Sequence, residues 1–446
     1  MHLKILFLIL LLLFLPGVAL AQSLDIATAV QRAVTDRPAI LASQAQGQAA
    51  ASAVREARSR YLPQLNFSET FSMTNEPAGS LFVALNQERN VMDSSAYNLV
   101  DPDHQQDFET RLTLQQTLFN ADVGYRIKEA SKRAESAQAR SDWSRESAGF
   151  AAFQAYLGVQ NALAEQQVAQ TGAVEANEVL RLADERYAAG IGLKADQLRA
   201  RVFHSEASRR VLTARNNVIL AQRRLALAIG QPEGEIEISA PLDDAFFAAF
   251  PPAIPATERA DLQAFSLDVE SLSLATKRRQ AAYLPSLDLS ASYGLHHESH
   301  PFGADGEAWR LGAVLNWELF DGFRRDASIA RARAEKTAAA AELSEIRREQ
   351  TFRRAEVDLR IAEARARKES AEQGLAAAVE SQRLLQQRYE SGLTDLVDLL
   401  TIQSALDQAR SFVIAADIQL LFLSGQALFE EGRFVATILT KNEVSP

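Results

Sequence analysis

Two kinds of hydrophobic pattern alternate along this chain. In four segments of about ten residues, an apolar side chain recurs at every second position, which predicts β-strands with one apolar and one polar face. The apolar positions are Leu65, Phe67, Phe71 and Met73; Phe108, Leu112, Leu114 and Leu118; Leu287, Leu289, Ala291, Tyr293 and Leu295; and Trp309, Leu311, Ala313, Leu315, Trp317 and Leu319. Long proline-free runs, from Ala121 to Tyr187 and from Gly322 to Tyr389, predict helices on the order of 100 Å long.

Helices of this length are typical of coiled coils and not of an ordinary globular core. A seven-residue spacing after each run supports the same interpretation. Its members are Leu198, Ser205, Leu212, Ile219 and Ala226 in one segment, and Leu400, Asp407, Ile414, Leu421 and Leu428 in the other. The segments 24–60 and 193–229 are nearly equal in length. We therefore expect antiparallel helices in which two half-length helices stack end to end beside each full-length one.

The same order of elements occurs twice. "RYAAGIGLKADQL" at 186–198 and "RYESGLTDLVDLL" at 388–400 are related by an offset of 202 residues, "YLPQLNFSETF" recurs as "YLPSLDLSASY", and "LFNADVGYR" recurs as "LFDGFRR". This self-similarity predicts a tandem duplication. Its copies are residues 22–230 and 259–432, joined by a proline-rich linker at 231–258 and followed by a tail at 433–446.

The chain begins with a secretory pattern. Residues 1–21 contain Lys4, a short apolar block and an Ala-Leu-Ala cleavage site, which predicts a signal peptide. No later apolar run is expected to reach the length of a membrane helix. The net charge of −10 argues against nucleic acid as a partner. The chain has no cysteine and no catalytic constellation stands out, so we expect neither an enzyme nor a cofactor.

Period-two alternation over ten residues is typical of a transmembrane β-strand, with apolar side chains toward lipid and polar ones toward the lumen. Trp309 and Trp317 are then expected in the two aromatic girdles. The alternative is a half-buried sheet in a soluble protein. Four strands cannot span a membrane alone, because an open edge leaves backbone groups unpaired. Two chains would give eight strands and three would give twelve, and a trimer suits a conduit better.

This arrangement resembles the outer-membrane factors, or TolC-like outer-membrane efflux proteins, over essentially the whole mature chain. The resemblance rests on the duplicated strand–strand–long-helix order, the "LFN" and "LFDG" junctions and the two Tyr-x-x-Gly turns. It implies a homotrimer that closes a twelve-stranded barrel in the outer-membrane lipid. A helical tunnel would cross the periplasm, where an adaptor protein joins its tips to an inner-membrane RND or ABC transporter.

In this family, aspartates after the second turn ring the closed periplasmic aperture. Asp398 falls on the first such position and Thr401 on the second, while Thr394 replaces a basic residue found in some members and Asp395 adds a carboxylate. The predicted gate is therefore Asp398, Asp395 and Thr401. Alternatively, Asp196 and Asp398 only complement the dipole of the helix that each begins.

The resemblance also implies that the turns contact the adaptor. The residues are Tyr187, Gly190, Gly192 and Asp196 in the first turn, and Tyr389, Gly392 and Leu393 in the second. The alternative is that the glycines only supply the left-handed backbone of the turns and that the tyrosines pack at the tip. "HHESH", with His296, His297 and His300, could bind a metal, but histidines in a loop are more often simple polar residues, and we expect no metal site.

The sequence thus predicts a passive export duct that serves either efflux or type I secretion. A periplasmic coiled-coil scaffold without a pore is the alternative from another class.

Overall fold

The computed structural model describes residues 24–89, 98, 100–231, 236–248 and 258–444. The predicted signal peptide and parts of the predicted linker lie outside these residues. Along the described chain the elements are α1 (Ile26–Thr35), α2 (Pro38–Ser59), β1 (Gln64–Thr74), α3 (Pro77–Asn86), β2 (Gln105–Phe119), α4 (Ala121–Ala188), α5 (Lys194–Ala228), α6 (Asp244–Ala248), α7 (Ala260–Ala281), β3 (Ser286–His297), β4 (Gly306–Asn316), α8 (Arg324–Glu390), α9 (Leu396–Glu430) and α10 (Phe434–Val444).

The predicted fold class is confirmed: long helices accompany one antiparallel sheet of four strands. The helices α4 and α8 have 68 and 67 residues, and each is followed by a turn and a helix of 35 residues, α5 or α9. The long helices begin and end within about two residues of the proline-free runs, because no residue inside those runs removes a backbone N–H or breaks the helical ladder.

The first helix is not continuous, so the prediction of one helix over 24–60 is wrong. α1 begins at the cap Asp25, whose carboxylate accepts a hydrogen bond from Thr28 N at 3.1 Å, and it ends at Asp36. Pro38 then starts α2. Proline has no N–H and disfavours helical geometry in the residue before it, so the chain breaks at Arg37 and resumes with proline at the first helical position.

Two glycines mark the places where half-length helices meet end to end. Gly230, after α5, has φ +79° and packs on the backbone of Asp36 and Arg37, where α2 is about to begin. Gly432, after α9, has φ +69° and packs on Arg259, immediately before α7. Both positions need left-handed backbone and a close approach, which glycine permits.

The sheet has the order β1-β2-β3-β4, and every neighbouring pair is antiparallel. The register places the apolar positions on one face, as in the row Phe67, Leu112, Tyr293 and Trp309. Many of these side chains are exposed, and Trp309 is 78% exposed. The opposite face carries mainly polar residues.

β4 is shorter than the alternation suggested, because it ends at Asn316. Trp317 and Leu319 therefore lie just beyond the strand and not within it. The indole N–H of Trp317 donates a hydrogen bond to the Tyr283 carbonyl at 3.0 Å. This contact ties the exit from β4 to the segment that enters β3.

The chain divides into two compact units. Among the described residues, one consists of those within 24–45, 139–262 and 346–444, and the other of those within 46–138 and 263–345. The first unit has an aromatic core in which Phe150, Phe153 and Phe434 are packed against one another. The tail forms α10, which contributes Phe434 and Ile438 to that core. The second unit contains the sheet.

The seven-residue spacing is present but lies on another face of α5 than expected. Leu198 and Leu212 are exposed, whereas Ala200, Ala207 and Ala214 are buried. Small side chains at these positions let neighbouring helices approach closely, so the larger leucines remain on the outer surface of the single chain. In α9 the buried positions include Leu399, Leu406 and Leu420, which are also spaced by sevens or multiples of seven.

Within the described part of the chain, α9 is long and apolar enough to cross a membrane when judged by length and composition alone. The expectation that no later run would pass this test is therefore wrong. One such helix is weak evidence, because a buried core helix passes the same test. α9 places Leu399, Leu420 and Leu421 in the core of its unit.

Candidate functional site at the two helical turns

The first turn joins α4 to α5. Gly190 has φ +76°, and its N–H donates to the Tyr187 carbonyl at 3.0 Å. A Cβ on Gly192 would lie 2.9 Å from the backbone of Arg186 and Tyr187, so any larger residue would be crowded there. α5 then begins after Leu193, which makes no side-chain cap. These contacts explain both glycines by backbone geometry.

The second turn joins α8 to α9 and is capped differently. Gly392 has φ +73°, and its N–H donates to the Tyr389 carbonyl at 3.0 Å. Asp395 is the N-cap of α9, and its carboxylate accepts a hydrogen bond from Asp398 N at 3.1 Å. The Thr394 hydroxyl donates to the Asp398 carboxylate at 2.7 Å. The second turn therefore has a polar cap that the first turn lacks.

One side chain connects the two turns. Arg186 donates a hydrogen bond from Nη1 to the carbonyl of Tyr389 at 2.8 Å, and its guanidinium lies 5.0 Å from the centre of the Tyr389 ring. Tyr389 is only 4% exposed and packs with Leu396 and Leu399. Tyr187, its counterpart, is 42% exposed and lies under Lys194. We call Arg186 and Tyr389 the tip clamp.

The predicted gate residues share one exposed region of the second turn. Asp395, Asp398 and Thr401 are all exposed, and they lie opposite the buried Leu396 and Leu399 of the same helix. Asp398 and Thr401 are three residues apart and so lie on one helical face. The carboxylates of Asp395 and Asp398 are therefore accessible from outside the chain.

Four helices meet in a polar network further along the same bundle. Glu175 on α4 accepts two hydrogen bonds from the Arg410 guanidinium, at 2.7 and 2.8 Å, and one from Gln403 at 2.5 Å. Asp407 on α9 accepts from Arg210 on α5 at 3.1 Å. Gln382 on α8 reaches Gln403. We call this set the seam network; it stabilises the packing of helices that lead to the turns.

Burial and charge shift two pKa values in the seam network. Burial raises the pKa of Asp407, and the neighbouring Glu175 raises it further, whereas Arg210, Arg410 and Gln403 act in the opposite direction. The hydrogen bond to Glu175 raises the pKa of Arg410 despite the partial burial of its guanidinium. The Asp407 carboxylate is therefore ionised at a cost, because water is largely excluded from it.

The family model named Outer membrane efflux protein matches residues 29–231 and 256–421. That is most of the chain. The chain belongs to this family. No curated protein sequence matches it. The family is one of transport ducts in the bacterial outer membrane, so this outer membrane efflux protein is a channel and not an enzyme.

Solved channels have the same fold. The outer membrane protein VceC from Vibrio cholerae is 19% identical with a TM-score of 0.76, over 91% of this chain and 96% of that one. For CusC the identity is 13% and the TM-score 0.80, over 92% of each chain. For the open state of the MtrE channel from Neisseria gonorrhoeae they are 15% and 0.72, over 92% and 89%.

The remaining predicted site residues of this outer membrane efflux protein have local roles. His296 Nδ1 lies 2.8 Å from the Asp107 carboxylate, while His297 and His300 stack with ring centres 3.7 Å apart. Across the described part of the chain, no set of three His, Cys, Asp or Glu side chains is arranged to hold a metal ion. Trp309 lies in the strand and Trp317 after it, so their girdle role stays a prediction.

Sequence reasoning missed the tip clamp and most of the seam network. The only signal was Asp407, a carboxylate at a heptad position that is normally apolar and that therefore requires a partner in the fold. Which helix supplies that partner depends on the register between helices, and no local pattern encodes it. Arg186 gave no signal, because Arg388 occupies the equivalent position in the other turn.

Proposed function

We propose that three copies of this chain assemble into a twelve-stranded barrel and a helical tunnel, and that a periplasmic adaptor opens this duct at the turns. The duct receives its cargo from an inner-membrane transporter of the RND or ABC class. Export through the outer membrane requires no energy source on this chain, because the partner supplies it. Whether the partner drives efflux or type I secretion is decided by that partner and not by the duct.

The sheet is the observation that carries this proposal. Among the described residues, β1 and β4 are edge strands with no further partner, and one face of the sheet exposes Leu65, Phe67 and Trp309. In lipid, each unpaired backbone N–H or C=O group costs on the order of several kcal/mol. Both edges must therefore pair with other strands. Copies of the same chain supply such strands.

The gate is supported by the geometry of the second turn. Asp395, Asp398 and Thr401 are exposed although the helix around them is packed. Three copies arranged about one axis would bring their carboxylates together in a ring. A narrow ring of aspartates attracts cations and resists passage while it remains closed. Displacement of the tip clamp by an adaptor would let the second turn move outward and widen the ring.

Conductance tests the gate. Purified protein in planar bilayers should show a small conductance that rises several-fold in Asp398→Ala. The matched control is Asp196→Ala, because Asp196 is the counterpart of Asp398 and pairs instead with Arg199 on its own helix. Equal conductance in all three proteins would contradict a gate at Asp398.

Crosslinking and fractionation test the assembly and its partner. A photo-reactive group at Ser391, in the exposed second turn, should capture an adaptor, whereas the same group at Val174, 71% exposed on α4, should not. Capture of the same proteins from both positions would contradict docking at the turns. A soluble periplasmic monomer on fractionation would contradict the duct itself and favour a scaffold.

A further inference from the structure

The helix α3 lies across the end of the sheet that is remote from the long helices. At one end of α3, Ser80 donates to the carbonyl of Thr74, the last residue of β1, at 3.2 Å. At its other end, a Cβ on Gly306, the first residue of β4, would collide with the carbonyl oxygen of Asn86. Ten residues give a helix of about 15 Å, which matches three strand spacings of about 4.8 Å. α3 therefore crosses the whole width of the four strands.

α3 packs on the polar face of the sheet. Gln87 donates to the Asp107 carboxylate at 3.0 Å and to the Gln106 carbonyl at 2.7 Å, and the other oxygen of Asp107 contacts His296 at 2.8 Å. Gln87, Asp107 and His296 are each no more than 5% exposed. These side chains belong to the polar face, since Asp107 and His296 alternate with the apolar positions Phe108 and Leu295. In a barrel that face lines the lumen.

The C-terminal end of α3 is also held by specific contacts. Glu88 adopts φ 54°, and Arg89 N donates to the Ala84 carbonyl at 2.9 Å, which closes the helix in a left-handed turn. A non-glycine residue in this region is strained, and partners must hold it there. Glu88 has such a partner, because its carboxylate accepts from Glu307 N at 3.3 Å. Contacts at both of its ends thus fix α3 to this end of the sheet.

The outward face of α3 is apolar. Ser80, Ala84 and Gln87 form the buried stripe, whereas Phe82 and Leu85 lie on the opposite side and are 63% and 43% exposed. The ten residues of α3 carry no charge. A helix that turns small and polar residues to its own sheet and large apolar ones away from it has an unfilled apolar surface.

We propose that the α3 helices of three copies meet through Phe82 and Leu85 and form an apolar seal across the outer mouth of the channel. This inference rests on the proposed trimer. Twelve strands about 4.8 Å apart and tilted by roughly 40° close a wall about 12 Å in radius. A helix about 10 Å across that lies against such a wall reaches close to the central axis, so three copies must touch there.

The occupant is a second and third copy of α3 and not lipid or another protein. Lipid lies on the opposite face of the sheet, where the exposed apolar strand positions are. α3 also reaches both edge strands, β1 and β4, which are the strands that must pair with neighbouring copies. An apolar constriction in a pore resists water and ions because it dewets. The channel therefore has a second barrier, built from packing, besides the acidic ring at the turns.

Cysteine crosslinking tests the seal, because the chain has no cysteine of its own. Phe82→Cys and, separately, Leu85→Cys are oxidised in outer membranes and also treated with a short bismaleimide. The matched control is Phe71→Cys, which replaces an aromatic residue of similar exposure, 55%, on the lipid face of β1. We expect several-fold more crosslinked dimer from positions 82 and 85 than from position 71. A disulfide requires Cα atoms about 4.4–6.8 Å apart, and the bismaleimide detects contacts that miss this geometry.

The particle mass of the same samples separates the two proposals. A trimer without crosslinks at 82 and 85 overturns the seal and leaves the proposed duct intact. A monomer overturns both. Where crosslinks form, bilayer conductance in the Asp398→Ala background should rise further when Phe82→Ser and Leu85→Ser remove the apolar contact. Equal conductance with and without these two changes would mean that the helices meet without obstructing the mouth, which also overturns the seal.

Discussion

The two turns of this chain share Arg-Tyr-x-x-Gly and a following Asp, but their side chains are packed differently. The first contributes Arg186, which reaches across to the second, and its own Tyr187 is exposed. The second buries Tyr389 and caps its helix with Asp395. Both turns keep Arg and Tyr at equivalent positions, so they differ in which tyrosine is buried and in Asp395, where the first turn has Leu193. Similar motifs therefore do not imply equivalent packing.

The same asymmetry extends into the helices behind the turns. The offset of 202 residues pairs Glu175 with Ala377, Asp407 with Ser205 and Arg410 with Ser208. The Glu175–Arg410 ion pair and the carboxylate of Asp407 thus belong to one combination of helices, because all three equivalent positions carry small uncharged side chains. This ion pair can be removed by substitution in one copy of the repeat, and it has no equivalent in the other.

Loss of Glu175 should have the largest effect. Glu175→Ala leaves Arg410 and Gln403 without their shared acceptor in a region where both side chains of the ion pair are only 22–26% exposed. We expect a loss of roughly 2–3 kcal/mol, reduced from the value for a fully buried pair because some solvent remains. Thermal unfolding followed by circular dichroism measures it. Glu178→Ala, which removes a well-exposed partner of Arg181, is the control and should change little. Equal shifts would show that the seam has no special role.

The tip clamp should rank second. Arg186→Ala removes a charge-assisted hydrogen bond and a cation–π contact, together about 1–2 kcal/mol. Amide hydrogen exchange in residues 389–399 should become about tenfold faster, since 1.4 kcal/mol corresponds to a factor of ten. Arg388→Ala, the exposed counterpart, should leave exchange unchanged. If both variants accelerate exchange equally, the two turns are equivalent and the clamp does not exist.

Two glycines inside the long helices sharpen the contrast. Gly172 and Gly374 occupy equivalent positions, but a Cβ at 172 would lie 3.0 Å from both Asp407 carboxylate oxygens, whereas a Cβ at 374 meets nothing within 4 Å. Gly374→Ala should stabilise the chain by about 0.5–1 kcal/mol through helix propensity. Gly172→Ala should lose that gain, because Asp407 is held by Arg210 and has little freedom to move. Unfolding midpoints that rise equally would contradict the close approach.

The smallest effect concerns pH. The pKa of Asp407 is raised in the folded state, so the folded chain binds this proton more tightly than the unfolded chain does. The cost of ionisation is therefore fully present above the raised pKa and is relieved as pH falls toward the ordinary value near 3.9. Asp407→Asn removes this dependence. When the pH is lowered from 7 to 4.5, the unfolding midpoint of the wild type should rise relative to that of the variant. The rise should be equivalent to about 1 kcal/mol or less. A constant difference would contradict the raised pKa.

The parts of the fold that depend on local pattern were predictable from the sequence. Period-two alternation placed all four strands, and the absence of proline gave the limits of α4 and α8, because both signals act through neighbouring residues. Pro38 could have been recognised as a break, since the rule is local too. The seam network and the tip clamp could not, because Glu175 and Arg410 lie 235 residues apart and meet only through the packing of whole helices.

The buried face of α5 also differs from the face that side-chain hydrophobicity predicts. Leu198 and Leu212 are more hydrophobic than Ala200 and Ala207, yet the alanines are buried within the chain. A pattern based on side-chain size therefore selected the wrong stripe for the intrachain seam. In an assembly of several copies, the large apolar residues are available for the contacts between chains.

The junctions at Gly230 and Gly432 have a mechanical consequence. α4 and α8 are continuous rods whose backbone hydrogen bonds resist extension, whereas α2 and α7 each begin where another helix ends. A stacked pair can tilt or part at its junction without the loss of a single helical hydrogen bond. Each copy of the repeat thus pairs one continuous helix with two stacked half-length helices. A rotation applied at the turns would therefore change the angle at Gly230 or Gly432 before it distorted α4 or α8.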